Sequence, residues 1–122
     1  MQARAQHGRR KTGDPTVIYC IFDLLVERGK DITGLPLTDR KARLARLLAA
    51  QTVPFTLYVE HVSTSDVARP ISWLYDWALK IGLEGVVGKL ADSPYLPGER
   101  SPNWFKLKRP GAVPANRFKR TR

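Results

Sequence analysis

The chain has 122 residues, enough for one small domain, and its hydrophobic fraction of 43% argues against a disordered chain. With 21 Lys and Arg against 11 Asp and Glu, its net charge of +10 favours a polyanionic partner, although a merely solvated basic surface is the alternative. The single cysteine excludes an intrachain disulfide and a multi-cysteine zinc site. No apolar stretch approaches the about 18 residues of a membrane span, and no secretion signal is recognisable, so a bacterial cytoplasmic location is the default expectation.

The first half of the chain predicts a strand, a turn and a helix. Residues 16–25 form an apolar run rich in β-forming side chains, which predicts a buried strand, with Cys20 inside it as a buried, inert thiol. Two glycines then predict a turn or short hairpin. Thr38 has the chemistry of an N-cap, and three leucines after it form the apolar stripe of a helix. Arg40 and Lys41 flank that stripe, and we expect their stems to lie along it with their charges in water.

The second half of the chain predicts a strand, a helix and two further strands. Residues 53–62 place alternate apolar side chains on one face and predict a half-buried strand. Pro70 suits the first position of a helix that ends near Gly82. Two strands, over 84–90 and 103–108, then flank a loop rich in proline and glycine. The order is mixed α and β without an internal repeat, which is an α+β pattern.

Charged and aromatic side chains in these strands are the candidate functional residues. Lys106 and Lys108 alternate along a strand, so both ammonium groups point to one side, where a shared anion such as a nucleotide phosphate would relieve their repulsion. Ordinary lysines on an edge strand are the alternative. Glu84 opens an apolar strand and must be solvated, paired or metal-bound; spacing alone favours an ion pair. Phe22 is by itself a core residue, and Trp104 a packing anchor.

Three segments in this order resemble motifs of the ATP-dependent DNA ligases. The sequence Tyr-Cys-Ile-Phe-Asp-Leu-Leu at 19–25, continued through 29–40, resembles the third nucleotidyltransferase motif. Gly-Leu-Glu-Gly-Val-Val-Gly-Lys at 82–89 resembles the fourth motif, and 93–108, ending in Trp-Phe-Lys-Leu-Lys, resembles the fifth with its lead-in. Taken together they resemble the adenylation domain of the bacterial end-joining type.

The resemblance implies the fold and the division of the chain. It implies a partial nucleotidyltransferase (ATP-grasp-like) adenylation domain of the α+β class, with a mixed, mainly antiparallel sheet and two helices. Residues 16–109 would be the C-terminal part of this domain. Residues 1–15 would be a basic flexible arm, and residues 110–122 a basic tail, because arginine and lysine crowd both ends.

The resemblance also implies site residues and cofactors. Phe22 would stack on the adenine ring of ATP, and Glu84 would help to hold a catalytic Mg²⁺. Lys106 and Lys108 would contact the α-phosphate and would be catalytic together with Glu84.

Two further cations complete the implied site. Lys89 and Arg100 would contribute contacts to phosphate or to the DNA end.

The implied activity is the sealing of nicks or ends in double-stranded DNA, in repair or recombination, through lysyl-AMP and DNA-adenylate intermediates. The family's nucleophilic Lys-x-Asp-Gly motif does not occur in these 122 residues, and Lys-Thr-Gly-Asp at 11–14 has glycine and aspartate inverted. We therefore expect a truncated or inactive copy that does not adenylate itself, with an N-terminal adenylation segment and an OB-fold domain as missing partners. The alternatives are a non-catalytic basic DNA-binding module and, within the superfamily, an RNA ligase or capping-type guanylyltransferase.

Overall fold

The computed structural model describes residues 17–65 and 71–112. Its elements, in chain order, are β1 (Tyr19–Ile21), β2 (Val26–Glu27), β3 (Lys30–Asp31), α1 (Leu37–Ala50), β4 (Thr56–Tyr58), α2 (Ser72–Lys80), β5 (Gly85–Lys89) and β6 (Trp104–Lys108). The mixed α and β content with two helices agrees with the prediction. The predicted basic arm, all but the first three residues of the predicted tail, and Pro70 lie outside the described residues.

The strands of the described residues form three separate two-stranded sheets, whereas the resemblance implies one mixed, mainly antiparallel sheet. The pairs β2–β3 and β5–β6 are antiparallel, but β1 and β4 are parallel, with Tyr19 opposite Thr56 and Ile21 opposite Tyr58. A parallel pair requires a long crossover, and α1 supplies it. The periodicity of a single strand carries no information about the direction of its partner, which is why this pairing was not predicted.

The turn between β2 and β3 has a specific backbone requirement. Arg28 and Gly29 both adopt positive φ angles, of 50° and 78°. Two consecutive positive φ values match the right-handed twist of a tight hairpin. The hairpin predicted in this region is confirmed.

Helix α1 begins at Leu37, and its first free N–H groups are satisfied by a distant loop. The N–H of Leu37 donates to the carbonyl of Ser93 at 3.0 Å, and that of Thr38 donates to the carbonyl of Ala91 at 3.1 Å. Pro36 occupies the N-cap position and makes no side-chain cap. The predicted N-cap at Thr38 is therefore wrong, because backbone carbonyls rather than a side-chain oxygen serve these donors.

Helix α2 is fastened to the β5–β6 pair by polar contacts. The hydroxyl of Tyr75 donates to the carbonyl of Lys108 at 2.8 Å. The guanidinium of Arg109 donates to the carbonyls of Leu79 and Leu83, at 3.3 and 3.2 Å, and so serves acceptors at the end of the helix. Gly82, at φ +87°, follows this end, close to the predicted boundary.

The described core is small, and its polar members contradict two predictions. The buried apolar side chains are Ile32, Leu37, Leu44 and Ala78. Arg40 is 0% exposed and Lys41 is 7% exposed, so the expectation that their charges lie in water is wrong.

The first strand is also less buried than its apolar sequence predicts. Cys20 is exposed, as are Ile18 and Tyr19, and the prediction of a buried strand with a buried thiol is wrong. Within the described residues, β1 pairs with one neighbour, β4, and of its three residues only Ile21 is half-buried.

Candidate nucleotide-binding site

The antiparallel register of β5 and β6 brings the predicted lysines onto one face. Lys89 lies opposite Trp104, Val87 opposite Lys106, and Gly85 opposite Lys108. Because directly opposed residues of a sheet point to the same side and alternate residues repeat that side, Lys89, Trp104, Lys106 and Lys108 share a face. We refer to these four residues as the cationic face.

Glu84 precedes β5, opposite Arg109 in the register, and its carboxylate reaches Lys108 at one end of the cationic face. Its backbone carbonyl accepts a hydrogen bond from the N–H of Arg109 at 2.6 Å, which extends the pairing of β5 and β6 by one residue. Its carboxylate is 3.7 Å from the ammonium of Lys108, and both side chains are well exposed. The structure thus contains the ion pair that spacing alone predicts. Such an exposed pair contributes little stability, so the carboxylate remains accessible to another cation.

The opposite end of the cationic face meets an aromatic ring from the first strand segment. The ammonium of Lys89 lies 4.7 Å from the ring centroid of Phe22 and 4.3 Å from that of Trp104. Trp104 also packs edge-on against Tyr95, with the centroids 5.8 Å apart, as expected of a packing anchor. Phe22 is 52% exposed, so part of its ring is accessible while Lys89 contacts it.

The backbone beside Phe22 is held by two buried cations of α1. The guanidinium of Arg40 donates to both carboxylate oxygens of Asp23, at 2.9 and 3.1 Å, and also to the carbonyls of Leu35 and Ser93. The ammonium of Lys41 donates to the carbonyl of Phe22 at 3.3 Å. Phe22 is therefore fixed next to a bidentate ion pair.

Lys41 makes a second link of the same kind. Its ammonium donates to the carbonyl of Val59 at 2.9 Å and lies 4.7 Å from the ring centroid of Tyr58. It therefore joins the chain just beyond β1 to the chain just beyond β4.

Of the lysines that the structure describes, the two least exposed, Lys41 and Lys89, have lowered pKa values. Burial lowers the pKa of Lys89; the positive charge of Arg40 lowers it further, while Asp23 opposes the shift. Burial likewise lowers the pKa of Lys41, and repulsion from Lys89 adds to that effect. In both cases desolvation disfavours the ammonium form.

The structure brings five of the six predicted site residues to one region of the fold: Phe22, Glu84, Lys89, Lys106 and Lys108. The sixth, Arg100, is exposed in the loop between β5 and β6, and no contact within the described ranges joins it to the other five. Asp23, Arg40 and Lys41, which support the site, were not predicted from the sequence. An aspartate next to an apolar strand needs a partner if it is buried, and that was the available signal.

The donor set can be compared with the needs of Mg²⁺. Among residues 17–65 and 71–112, no group of three or more His, Cys, Asp or Glu side chains could hold a metal ion. A single accessible carboxylate fits Mg²⁺ only where phosphate oxygens and water complete its coordination, which is how this ion commonly binds. Glu84 fits that arrangement and does not fit a metal cage made of protein ligands alone.

An open hollow of about 520 Å³ lies apart from this site, between α1 and β4, and includes none of the six predicted site residues. Neither helix of the described ranges is long and apolar enough to cross a bilayer.

The described residues thus present a cationic strand face with an aromatic ring at one end and a carboxylate next to the other. Comparison with known proteins gives the family: residues 1–108 match the ATP dependent DNA ligase domain, and the chain belongs to this family.

Curated relatives are named as DNA ligases or as DNA ligase-like. The chain is 36% identical over 93 residues to a DNA ligase of Methanocorpusculum labreanum, covering 76% of this chain and 16% of the relative. It is 42% identical over 90 residues to a probable DNA ligase of Streptomyces avermitilis, covering 71% of this chain and 16% of that protein. A prophage-derived DNA ligase-like protein of Bacillus subtilis is 34% identical over 91 residues, covering 75% and 31%. The chain therefore spans about a sixth to a third of the length of these relatives.

Proposed function

We propose that this chain forms the C-terminal part of the adenylation domain of an ATP-dependent DNA ligase and provides its binding surface for adenine and the α-phosphate. The observation that carries the proposal is the register of β5 and β6. It places Lys106 and Lys108 on the face that also holds Lys89, whose ammonium contacts the ring of Phe22. One continuous surface thus offers an aromatic ring for a base and ammonium groups for phosphate.

Each residue has a distinct task in this proposal. The exposed part of the Phe22 ring stacks on adenine. Lys106 and Lys108 donate to the α-phosphate and offset the charge that develops on it during nucleotidyl transfer, which is the main requirement of such reactions. Arg100 would reach phosphate or the DNA end from its loop, and its planar guanidinium suits a bidentate phosphate contact.

Glu84 would hold Mg²⁺ together with phosphate oxygens. The bound ion would supply positive charge to the phosphate group. For this, Glu84 must exchange its ion pair with Lys108 for the metal, and the pair is long and exposed. The exchange therefore costs little, and it frees the ammonium of Lys108 for phosphate.

In the complete reaction AMP passes from a lysine to the 5′-phosphate of double-stranded DNA, and the 3′-hydroxyl then attacks that phosphorus and displaces AMP. We assign to this chain the binding of nucleotide but not the attack on ATP, since its 122 residues contain no Lys-x-Asp-Gly. A nucleophilic lysine must be held in line with the α-phosphate in a fixed environment. The proposal thus gives this chain a site that binds ATP and does not form a lysyl-AMP adduct.

Calorimetric titration of the 122-residue chain with ATP and Mg²⁺ tests the proposal. We expect Lys106→Ala and Lys108→Ala each to weaken ATP binding about ten-fold, because each removes a charge-assisted hydrogen bond. Lys80→Ala, at an exposed position of α2, is the matched control and should bind like the parent chain. Glu84→Gln should remove the gain in affinity that Mg²⁺ provides. Absence of ATP binding by the parent chain, or equal losses in Lys80→Ala, would overturn the proposal.

Incubation with ATP labelled at the α-phosphate tests the assignment of chemistry. We expect no labelled protein band after denaturing electrophoresis. A labelled band that disappears in Lys106→Ala would show that the chain does adenylate itself.

A second function, non-catalytic binding of DNA, is favoured by the net charge of +10. Binding of this kind would show a steep dependence on salt and no preference for nicked over intact duplex. Titration of both duplexes at several salt concentrations separates the two functions. The superfamily alternatives are separated by ATP against GTP for a guanylyltransferase and by nicked DNA against nicked RNA for an RNA ligase.

A further inference from the structure

Lys89 differs from the other lysines of the cationic face in its surroundings. Its ammonium lies between two aromatic rings, 4.7 Å from the centroid of Phe22 and 4.3 Å from that of Trp104. Among the described residues it has no carboxylate within ion-pair distance, whereas Lys108 pairs with Glu84. Both ring contacts fall inside the about 6 Å range of a favourable cation–π interaction.

The two rings come from parts of the chain that are far apart in sequence. Trp104 is the direct cross-strand neighbour of Lys89 in the β5–β6 pair, whereas Phe22 follows β1. The ammonium therefore links two sheets that share no strand. Lys41 already holds the backbone of Phe22 through a hydrogen bond to its carbonyl. The contact from Lys89 therefore restrains the orientation of the Phe22 ring.

We infer that Lys89 is a positioning residue of the adenine-binding ring, which it holds in a cation–π clamp with Trp104, and is not a ligand of the nucleotide phosphates. The inference rests on the proposed function, because it assumes that Phe22 stacks on a base. A ring held in one orientation before binding loses less conformational freedom when a base stacks on it. Phe22 is 52% exposed with the ammonium over its ring, and the inference requires that a base stack on the ring face that Lys89 does not cover.

Calorimetry with two probes separates this role from a phosphate contact. The probes are ATP, which has a base, and inorganic tripolyphosphate, which has none, both at physiological salt so that long-range charge is screened. We expect Lys89→Met to weaken ATP binding about five-fold or more and tripolyphosphate binding less than about two-fold. Lys89→Arg should restore ATP binding, since a guanidinium also stacks on aromatic rings. Equal losses for the two probes would overturn the inference and assign Lys89 to phosphate.

A ligand-free measurement tests the clamp on its own. Ring currents of Phe22 and Trp104 should shift the side-chain methylene protons of Lys89 upfield in NMR spectra of the chain. Phe22→Leu and Trp104→Leu should each remove part of that shift, while Lys80 resonances stay in place. Unshifted Lys89 protons in the parent chain would refute the clamp. If the shifts are present but the parent chain binds no ATP, the clamp exists and the proposed function fails.

Discussion

Replacement of Arg40 by methionine is the sharpest test of how this fold holds its site. The guanidinium is fully buried and donates to both oxygens of Asp23, to the carbonyl of Leu35 at 2.6 Å and to the carbonyl of Ser93 at 3.1 Å. The side chain of Asp23 is itself only 6% exposed. Methionine fills a similar volume but leaves this buried carboxylate without its hydrogen-bonded counter-charge and two carbonyls without their donor.

The magnitude follows from that geometry. Removal of one partner of a buried ion pair costs about 3–5 kcal/mol, because the remaining charge is uncompensated. A small domain has a total stability of about 5–15 kcal/mol, so the loss is a large share of it. With a urea m-value of about 1–3 kcal/mol per molar, the midpoint of unfolding should fall by about 2 M.

Urea unfolding followed by circular dichroism measures this change. The matched control is Arg43→Met, in the same helix, whose ion pair with Glu27 at 2.6 Å is partly exposed. We expect the control to lose about 1 kcal/mol or less. The double variant Asp23→Leu with Arg40→Met should recover part of the loss, since it removes the isolated carboxylate as well. Equal, small losses in the two single variants would refute the argument.

Two further predictions concern the strands and the buried lysine. Gly85→Ala should lower the free energy of unfolding by about 2 kcal/mol or more, because its new Cβ would overlap the backbone carbonyl of Leu107. Gly88→Ala should cost less, because the atoms nearest to its new Cβ belong to the ring of Phe105, which is exposed and can move. Urea unfolding compares the two, and equal losses would contradict this reasoning. Burial lowers the pKa of Lys41 below its usual 10.5, so this lysine loses its proton at a lower pH in the folded chain than in the unfolded chain. Between those two pKa values the unfolded chain binds more protons than the folded chain, and the free energy of unfolding should rise with pH more steeply in the parent chain than in Lys41→Met. Parallel pH profiles of the two chains would contradict this prediction.

The strands that carry the candidate site are predictable because their signal is local. Alternation around Lys106 and Lys108 requires only the period of two residues that every strand has, and the observed β6 includes both. The ion pair of Glu84 is likewise predictable, since a carboxylate next to an apolar strand requires solvent or a partner. The motif order adds the family, which the comparisons confirm.

The buried cations of α1 are not predictable from helical periodicity. That periodicity assigns charged side chains to solvent, yet Arg40 and Lys41 find acceptors at residues 17–19 positions away in the chain. Whether a charge is buried depends on the acceptors that the tertiary fold supplies, and these are not neighbours in sequence. The parallel pairing of β1 with β4 escapes prediction for the same reason. The burial of these cations and the pairing of β1 with β4 both depend on how the chain folds back onto β1 after α1.

The ammonium of Lys41 has a consequence for how the parallel pair comes apart. It donates hydrogen bonds to the carbonyls of Phe22 and Val59 and so links the chain at the carboxyl ends of β1 and β4. A backbone bond flanks the pair at each end, from the N–H of Tyr19 to the carbonyl of Phe55 and from the N–H of Val59 to the carbonyl of Ile21. Because Lys41 adds two side-chain bonds at the carboxyl ends, we expect the segment that carries the Phe22 ring to open after the amino ends of the pair.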